Sequence, residues 1–302
     1  MKPQMLMKVA VGAVVVLVAI VMEQGVNTPH RVQARDQNDN YEESLIRIGF
    51  AIAPVPLNLE GKNRDSVGLG SFIVNAQADC NGCHTGGLAP NFNYANNHNP
   101  YFGQPTKTNA SVYLSGGTDF GPAVPPSPFA YYPWATPPIP SSYPPAEYNG
   151  YVGPNIITRN LTPDKTGLPE GGHTLEQFKT IMRTGKDYDQ LHPTCTTASP
   201  APEPANCIPP PVDGSLLQVM PWPVFHNMTD HQLEAIYEYL KAIPCIEGPE
   251  TPSDIAGVDP AAAYAFAQLH NDCGDPKVSA SVKDAVAATD AMHANTRIRS
   301  RR

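Results

Sequence analysis

The sequence predicts an all-α fold that carries long, irregular, proline-rich loops. Short segments with apolar residues at the spacing of one helix face alternate with stretches that lack helical and strand periodicity. The 302 residues include 34 prolines, and only 16% of them are charged. This composition favours a compact core with stiff loops over an ordinary helix-rich enzyme. We therefore expect one large or two small helical domains and no large sheet.

The first predicted helix of the core covers residues 66–79. One face of this segment carries four apolar residues at helical spacing: Leu69, Phe72, Ile73 and Ala76. Gly68 and Gly70 lower the helix propensity, but they would allow another helix to approach closely.

Capping boxes predict two more helices, because Thr174 and Thr229 are each followed by a glutamine three residues later. These helices should end near Gly185 and before Pro244. A fourth helix is expected over residues 261–270, because an Asp-Pro pair precedes them.

Residues 1–34 resemble a secretory signal segment. Lys2 and Lys8 precede an apolar run of 14 residues, from Val9 to Met22. A polar stretch then leads to an expected cleavage site after Ala34. An uncleaved membrane anchor is the alternative interpretation. Cleavage would remove three basic residues and one acidic residue, and would change the net charge from −8 to −10. An acidic protein is expected to bind partners with basic docking patches and not nucleic acid.

The remaining boundaries follow from composition. Residues 35–65 are polar and are expected to form an extended lead-in to a core domain at residues 66–245. Within that domain, residues near 122–154 form a proline-rich insert without periodicity. Residues 246–302 are expected to be a C-terminal helical extension with a basic tail.

Four of the six cysteines are expected to form disulfides in an oxidising compartment. Sequential pairing, Cys195 with Cys207 and Cys245 with Cys273, is the simplest of the three possible arrangements.

The other two cysteines belong to the most specific motif of the chain, Cys80-Asn81-Gly82-Cys83-His84. Two thiols at this spacing can add to the vinyl groups of a haem, and the adjacent imidazole can then bind the iron. Random placement of the chain's six cysteines and nine histidines would produce only about 0.004 such motifs. A thioredoxin-like redox pair and a zinc site are the alternatives.

A haem that carries electrons needs a second axial ligand, commonly a thioether. Met220 is the preferred candidate, because the prolines of the Met-Pro-Trp-Pro segment would hold its loop rigidly. The other candidate donors are three methionines and three histidines: Met182, Met228, Met292, His192, His226 and His231.

Several motifs occur in a recognisable order after the helix at 66–79: CNGCHT at 80–85, NLTPD at 160–164, a helix at 175–184, MPWPVF at 220–225 and LEAIYEYL at 233–240. In this order the chain resembles class I cytochrome c domains over roughly residues 66–244. Among these it is most similar to the cytochrome c subunits of bacterial periplasmic dehydrogenases. The resemblance implies a cytochrome c-like helical core around one covalent haem c, with Phe72 or Ile73 meeting Tyr237. It also implies that Arg159 and Asn160 lie near the haem propionates.

The expected function is single-electron transfer by an exported, periplasmic or otherwise extracytoplasmic monohaem cytochrome, which is a carrier and not itself an enzyme. One expected partner is a dehydrogenase or quinol-oxidising complex of the periplasm or membrane, and the other is an electron acceptor. Association with a membrane complex is compatible with this prediction. The alternatives are a peroxidase-like haem enzyme, a gas sensor with a displaceable axial ligand, and a structural subunit of a larger complex.

Overall fold

A computed structural model describes residues 30–85, 94–122, 153–196, 206–210, 212–248 and 271–274. Most of the proline-rich insert, the helix expected at 261–270 and the basic tail lie outside these residues, as do residues 1–29 of the expected signal segment. The chain divides into two units, Met1–Ser44 and Leu45–Arg302. No helix within the described ranges is both long enough and apolar enough to span a membrane.

The described chain is mostly helical, as the sequence predicts. Its elements are helix α1 (His30–Ile52), helix α2 (Arg64–Phe72) with a π-helical turn (Ile73–Gln77), helix α3 (Cys80–His84), two 3₁₀ turns (Pro100–Phe102 and Ala110–Val112), strand β1 (Asp119–Pro122), strand β2 (Asn155–Ile157), helix α4 (Pro169–Gly172), helix α5 (Leu175–Thr184), helix α6 (Trp222–Phe225) and helix α7 (Asp230–Ala242). Strands β1 and β2 form one small antiparallel sheet, in which Asp119 pairs with Ile157.

Helix α1 corrects the expectation of an extended lead-in, because the chain is helical as far as Ile52. The expected cleavage position after Ala34 lies within this helix. Contacts with α2 explain why this polar segment is ordered at its end. A Cβ atom on Gly49 would lie 1.9 Å from the carbonyl oxygen of Gly68, and the hydroxyl of Ser71 donates a hydrogen bond of 2.7 Å to the carbonyl oxygen of Gly49. The end of the helix is therefore stabilised by tertiary packing.

Helix α2 packs against α7 at Gly70. A Cβ atom there would lie 1.9 Å from the carbonyl oxygen of Ala235, so the predicted role of this glycine in close helix approach is confirmed. The aromatic partner of Tyr237 is Phe178, at a ring-centroid distance of 5.7 Å. Tyr237 therefore contacts α5, while its contact with Phe72 or Ile73, which the resemblance implies, stays a prediction.

The π-helical turn changes the face that the predicted first helix buries. Leu69 and Ile73 are buried as expected, but Ala76 is exposed. A π turn holds more residues than an α turn, so it shifts the positions that follow it around the helix axis.

Both predicted capping boxes are present, at Thr174 with Gln177 and at Thr229 with Gln232. Helix α5 ends at Gly185, whose φ of 71° is the left-handed conformation that glycine adopts without strain.

The structure contains two disulfides, and they join the cysteines that sequential pairing predicts. The Cα–Cα distance is 4.8 Å for Cys195–Cys207 and 5.7 Å for Cys245–Cys273. Two disulfides are compatible with an oxidising, extracytoplasmic compartment.

Candidate functional site

A deep, mostly apolar cavity lies inside the helical core. Its empty volume is about 1110 Å³, including the part that is open to solvent. The walls are formed by the π turn, α3, the strand β2 and the residues after it, α5, the segment 216–221, α6 and α7. Cys80, Cys83 and His84 line this cavity together with Met220, which is 136 residues beyond His84 in the sequence.

The backbone before α3 sets the position of the two cysteines. Asp79 is in the left-handed conformation, with φ of 52°, and caps the helix that begins at Cys80. Its carboxylate lies against Gly82, where a Cβ atom would be only 2.4 Å from Oδ1. A side chain at position 82 would therefore displace the carboxylate of Asp79, which is exposed.

Cys80 and Cys83 remain free thiols, whereas the other four cysteines are paired. Burial raises the pKa of Cys80 to about 12, with Cys83 and Asp79 contributing in the same direction. The pKa of Cys83 is also raised, by burial and then by Asp79. Thioredoxin-like redox cysteines instead have a lowered pKa, because the thiolate is their reactive form. The electrostatics of this pair are thus opposite to those of a dithiol redox site.

The orientation of His84 suits metal ligation. Its Nδ1 lies 2.8 Å from the backbone carbonyl oxygen of Arg159. Because a carbonyl oxygen only accepts hydrogen bonds, Nδ1 must carry the proton, and Nε2 keeps its lone pair. Desolvation lowers the pKa of His84 to about 4, which keeps the imidazole neutral. A hydrogen bond of this kind commonly orients a histidine that binds a metal.

Met220 is partly buried and is held by an anchored loop. The backbone N–H of Trp222 donates a bond of 2.8 Å to the Met220 carbonyl oxygen. The indole of Trp222 donates a bond of 3.1 Å to the carbonyl oxygen of Leu217, and its ring covers Gly185. The rigid loop that the sequence predicts is therefore secured by tryptophan contacts as well as by proline.

The other candidate donors divide into two groups. Met182 and His192 are buried and line the same cavity. His226, His231 and Met228 are not among the described residues that line it, and Met292 lies outside the described ranges. Burial lowers the pKa of His192 to about 4. Among the described residues, no cluster of three histidine, cysteine, aspartate or glutamate side chains is arranged to hold a metal ion.

Arg159 and Asn160 have different positions. The guanidinium of Arg159 lines the cavity and forms ion pairs with Asp187 at 2.7 Å and Asp189 at 2.8 Å. Asn160 is buried but is not among the lining residues; its amide donates a bond of 2.8 Å to the carbonyl oxygen of Ile246. Its Oδ1 accepts bonds from the backbone and hydroxyl of Thr162. Arg159 therefore lines the cavity, whereas Asn160 is hydrogen-bonded beside it, and the proximity of both residues to haem propionates stays a prediction.

Two buried acidic residues of the cavity were not predicted from the sequence. Glu170 and Asp187 are both buried and both line the cavity. Neither belongs to a recognisable motif, and their spacing in the sequence carries no signal of a shared site. The only local hint is the pair of glycines after Glu170, which indicates a tight turn.

No protein-family model, no curated protein and no solved structure matches this chain. The interpretation of the cavity consequently depends on the residues that line it.

The residues present fit a covalently attached haem. Two free thiols, a neutral imidazole with its Nδ1 engaged and a thioether share one cavity. These are the groups that attach and ligate a c-type haem. The other walls include several apolar side chains suited to a porphyrin: Val74, Ile156, Ile157, Leu161, Phe178, Ile236 and Leu240.

Proposed function

We propose that this protein is an exported monohaem c-type cytochrome that carries single electrons between a dehydrogenase or quinol-oxidising complex and an acceptor. Cys80 and Cys83 would form the two thioether bonds, and His84 and Met220 would be the axial ligands. When bound, the haem iron supplies the one-electron redox chemistry.

The observation that carries the proposal is the presence of all four groups in one apolar cavity. A thiol pair adjacent to a histidine is expected from the motif alone, but the motif does not bring a thioether to it. The fold does so through the anchored loop that holds Met220. His84 and Met220 together would fill both axial positions, which suits electron transfer because little ligand rearrangement accompanies it.

The protein's own contribution is to hold the ligands and to exclude water. The carbonyl oxygen of Arg159 fixes the His84 ring. Leu233, Ile236 and Leu240 of α7 are nearly inaccessible to solvent, and the last two line the cavity. A dry environment stabilises a bound porphyrin and influences its reduction potential.

An oxidising location is part of the proposal, because two disulfides form from four of the six cysteines. An acidic chain, with a net charge of −8, favours redox partners that have basic docking patches. Whether those partners lie in a membrane complex is a question for copurification of the native protein.

Covalent attachment tests the proposal directly. Protein produced with a cytochrome c maturation system should keep one haem per chain after denaturation and acid-acetone extraction, because thioether bonds survive both treatments. Intact-mass measurement would detect the added group. The double variant Cys80→Ala with Cys83→Ala should lose it.

A suitable control is Cys195→Ala with Cys207→Ala, which removes a disulfide whose cysteines do not line the cavity and should leave attachment intact. A haem-free mass for the unmodified mature protein would overturn the proposal.

A further inference from the structure

Glu170 is a buried acid in the cavity wall. Glu170 is 7% exposed to solvent, and it lines the same cavity as His84 and Met220. Within the described part of the chain its carboxyl group makes no hydrogen bond and no ion pair. Its backbone is in the left-handed region, with φ of 53° and ψ of 55°, although it is not glycine. Residues held in such a conformation cost free energy and are concentrated at functional sites.

The charged groups around Glu170 do not neutralise it. Arg159 attracts a negative charge on Glu170, but its guanidinium is already paired with Asp187 and Asp189. These two carboxylates oppose a negative charge on Glu170, while Arg159 and His173 favour it. Burial is the largest influence and raises the pKa of Glu170. Burial thus favours the neutral acid of Glu170 more than that of a surface glutamate.

His173 and His192 are further titratable groups near the cluster formed by Glu170, Arg159, Asp187 and Asp189. His173 is the C-cap of α4, and its Nδ1 contacts the carbonyl oxygen of Glu170. His192 is on the segment after α5, and burial favours its neutral form. The cluster around Glu170 therefore combines one paired cation, two paired carboxylates and two imidazoles.

We propose that Glu170 binds a proton when the cytochrome is reduced and releases it on oxidation, an inference that rests on the proposed function. Glu170 takes one proton from solvent at a carboxylate oxygen while one electron from the redox partner converts ferric iron to ferrous iron. The carboxyl O–H bond forms as an O–H bond of a solvent hydronium ion breaks, and the net charge of the cavity is unchanged. Oxidation by the acceptor reverses both transfers.

The direction follows from electrostatics. Reduction lowers the positive charge at the iron by one, so an anionic carboxylate in the same low-dielectric cavity becomes less favourable. The pKa of Glu170 should therefore be higher in the reduced protein. Between its two pKa values the reduction potential should fall as pH rises, by at most about 59 mV per pH unit for a one-electron couple. Below and above that interval the potential should be constant.

The test is a spectroscopic redox titration at a series of pH values for three proteins. The unmodified protein and Glu176→Gln should show the pH-dependent interval; Glu176 is a matched control because it is an exposed glutamate on α5. Glu170→Gln should lose the interval and keep the higher potential at all pH values, since glutamine resembles the neutral acid. The same slope in Glu170→Gln, as titration of haem propionates or Asp187 would produce, would overturn the proposal.

Infrared spectroscopy supplies a second readout. The reduced-minus-oxidised spectrum of the unmodified protein should contain the C=O stretch of a newly protonated carboxyl group, and Glu170→Gln should lack it. Failure of the two proposals can be distinguished. Protein without bound haem contradicts the proposed function itself, whereas a reversible haem couple with an unchanged slope in Glu170→Gln contradicts only the role of Glu170.

Discussion

Replacing Gly70 by alanine should destabilise the protein by forcing α2 away from α7. The new Cβ atom would lie 1.9 Å from the Ala235 carbonyl oxygen and 2.7 Å from the Cβ atom of Tyr239. Carbon and oxygen atoms in close contact are normally about 3.3 Å apart, so the two groups must separate by about 1.4 Å. Both neighbours are backbone or Cβ atoms, and neither can rotate out of the way.

The expected magnitude combines two opposite contributions. Overpacking of a close-packed interior costs about 1–3 kcal/mol, and a backbone clash belongs at the upper end. Alanine regains about 1 kcal/mol of helix propensity relative to glycine. The free energy of unfolding should therefore decrease by about 2 kcal/mol. Because Ile236 and Leu240 of α7 line the cavity, the absorption spectrum of a bound haem should also change.

Denaturant unfolding followed by circular dichroism measures the first effect. Gly103→Ala is a useful control, because nothing lies within 4 Å of its Cβ position and its φ is 70°. That variant should lose roughly 1 kcal/mol through backbone strain and leave the absorption spectrum unchanged. A Gly70→Ala variant as stable as the unmodified protein would refute the steric argument.

Three further predictions concern the ligands, the disulfides and the pH dependence of stability. The reduced unmodified protein should bind carbon monoxide poorly. Met220→Ala should allow carbon monoxide to bind the iron, shift the ferric spectrum toward high spin and lower the reduction potential. Met228 does not line the cavity, so Met228→Ala should affect packing alone. Rapid stoichiometric binding by the unmodified protein would favour a haem enzyme or gas sensor. Non-reducing peptide mapping should recover Cys195–Cys207 and Cys245–Cys273, and free thiols or crossed pairs would contradict the structure. Because the pKa of His192 falls from 6.5 to about 4 in the folded protein, its neutral form should stabilise the fold fully above pH 6.5. That contribution, about 3 kcal/mol, should be lost as pH falls to about 4. Between pH 6.5 and 4 the free energy of unfolding should decrease less in His192→Gln than in the unmodified protein. The same pH dependence in both proteins would contradict a lowered pKa of His192.

Local hydrogen bonding explains the elements that were predictable. A capping box closes within four residues, so Thr174 and Thr229 mark the starts of α5 and α7 whatever surrounds them. Gly185 ends α5 for a similar reason, because glycine tolerates the left-handed conformation that the C-cap requires.

The prediction of an extended lead-in failed because the local sequence does not show contacts between distant segments. The end of α1 looks like a polar linker, but Gly49 and Gly68 bring its backbone against α2. The resemblance implies that Asn160 lies near the haem propionates, and in the structure its side chain forms hydrogen bonds with Ile246 and Thr162. The packing of Gly49 against Gly68 leaves no periodic signal, because the two residues belong to different helices.

The sequence by itself determined the predicted chemistry of attachment, since Cys80, Cys83 and His84 are adjacent and their spacing is a property of the chain. Only the tertiary structure decided what surrounds them. Met220 reaches the cavity through a folded loop, and Arg159 orients His84 through a backbone carbonyl that any residue could supply. Glu170 becomes a buried acid because the chain around it excludes water, and burial is a property of the whole fold and not of the residue.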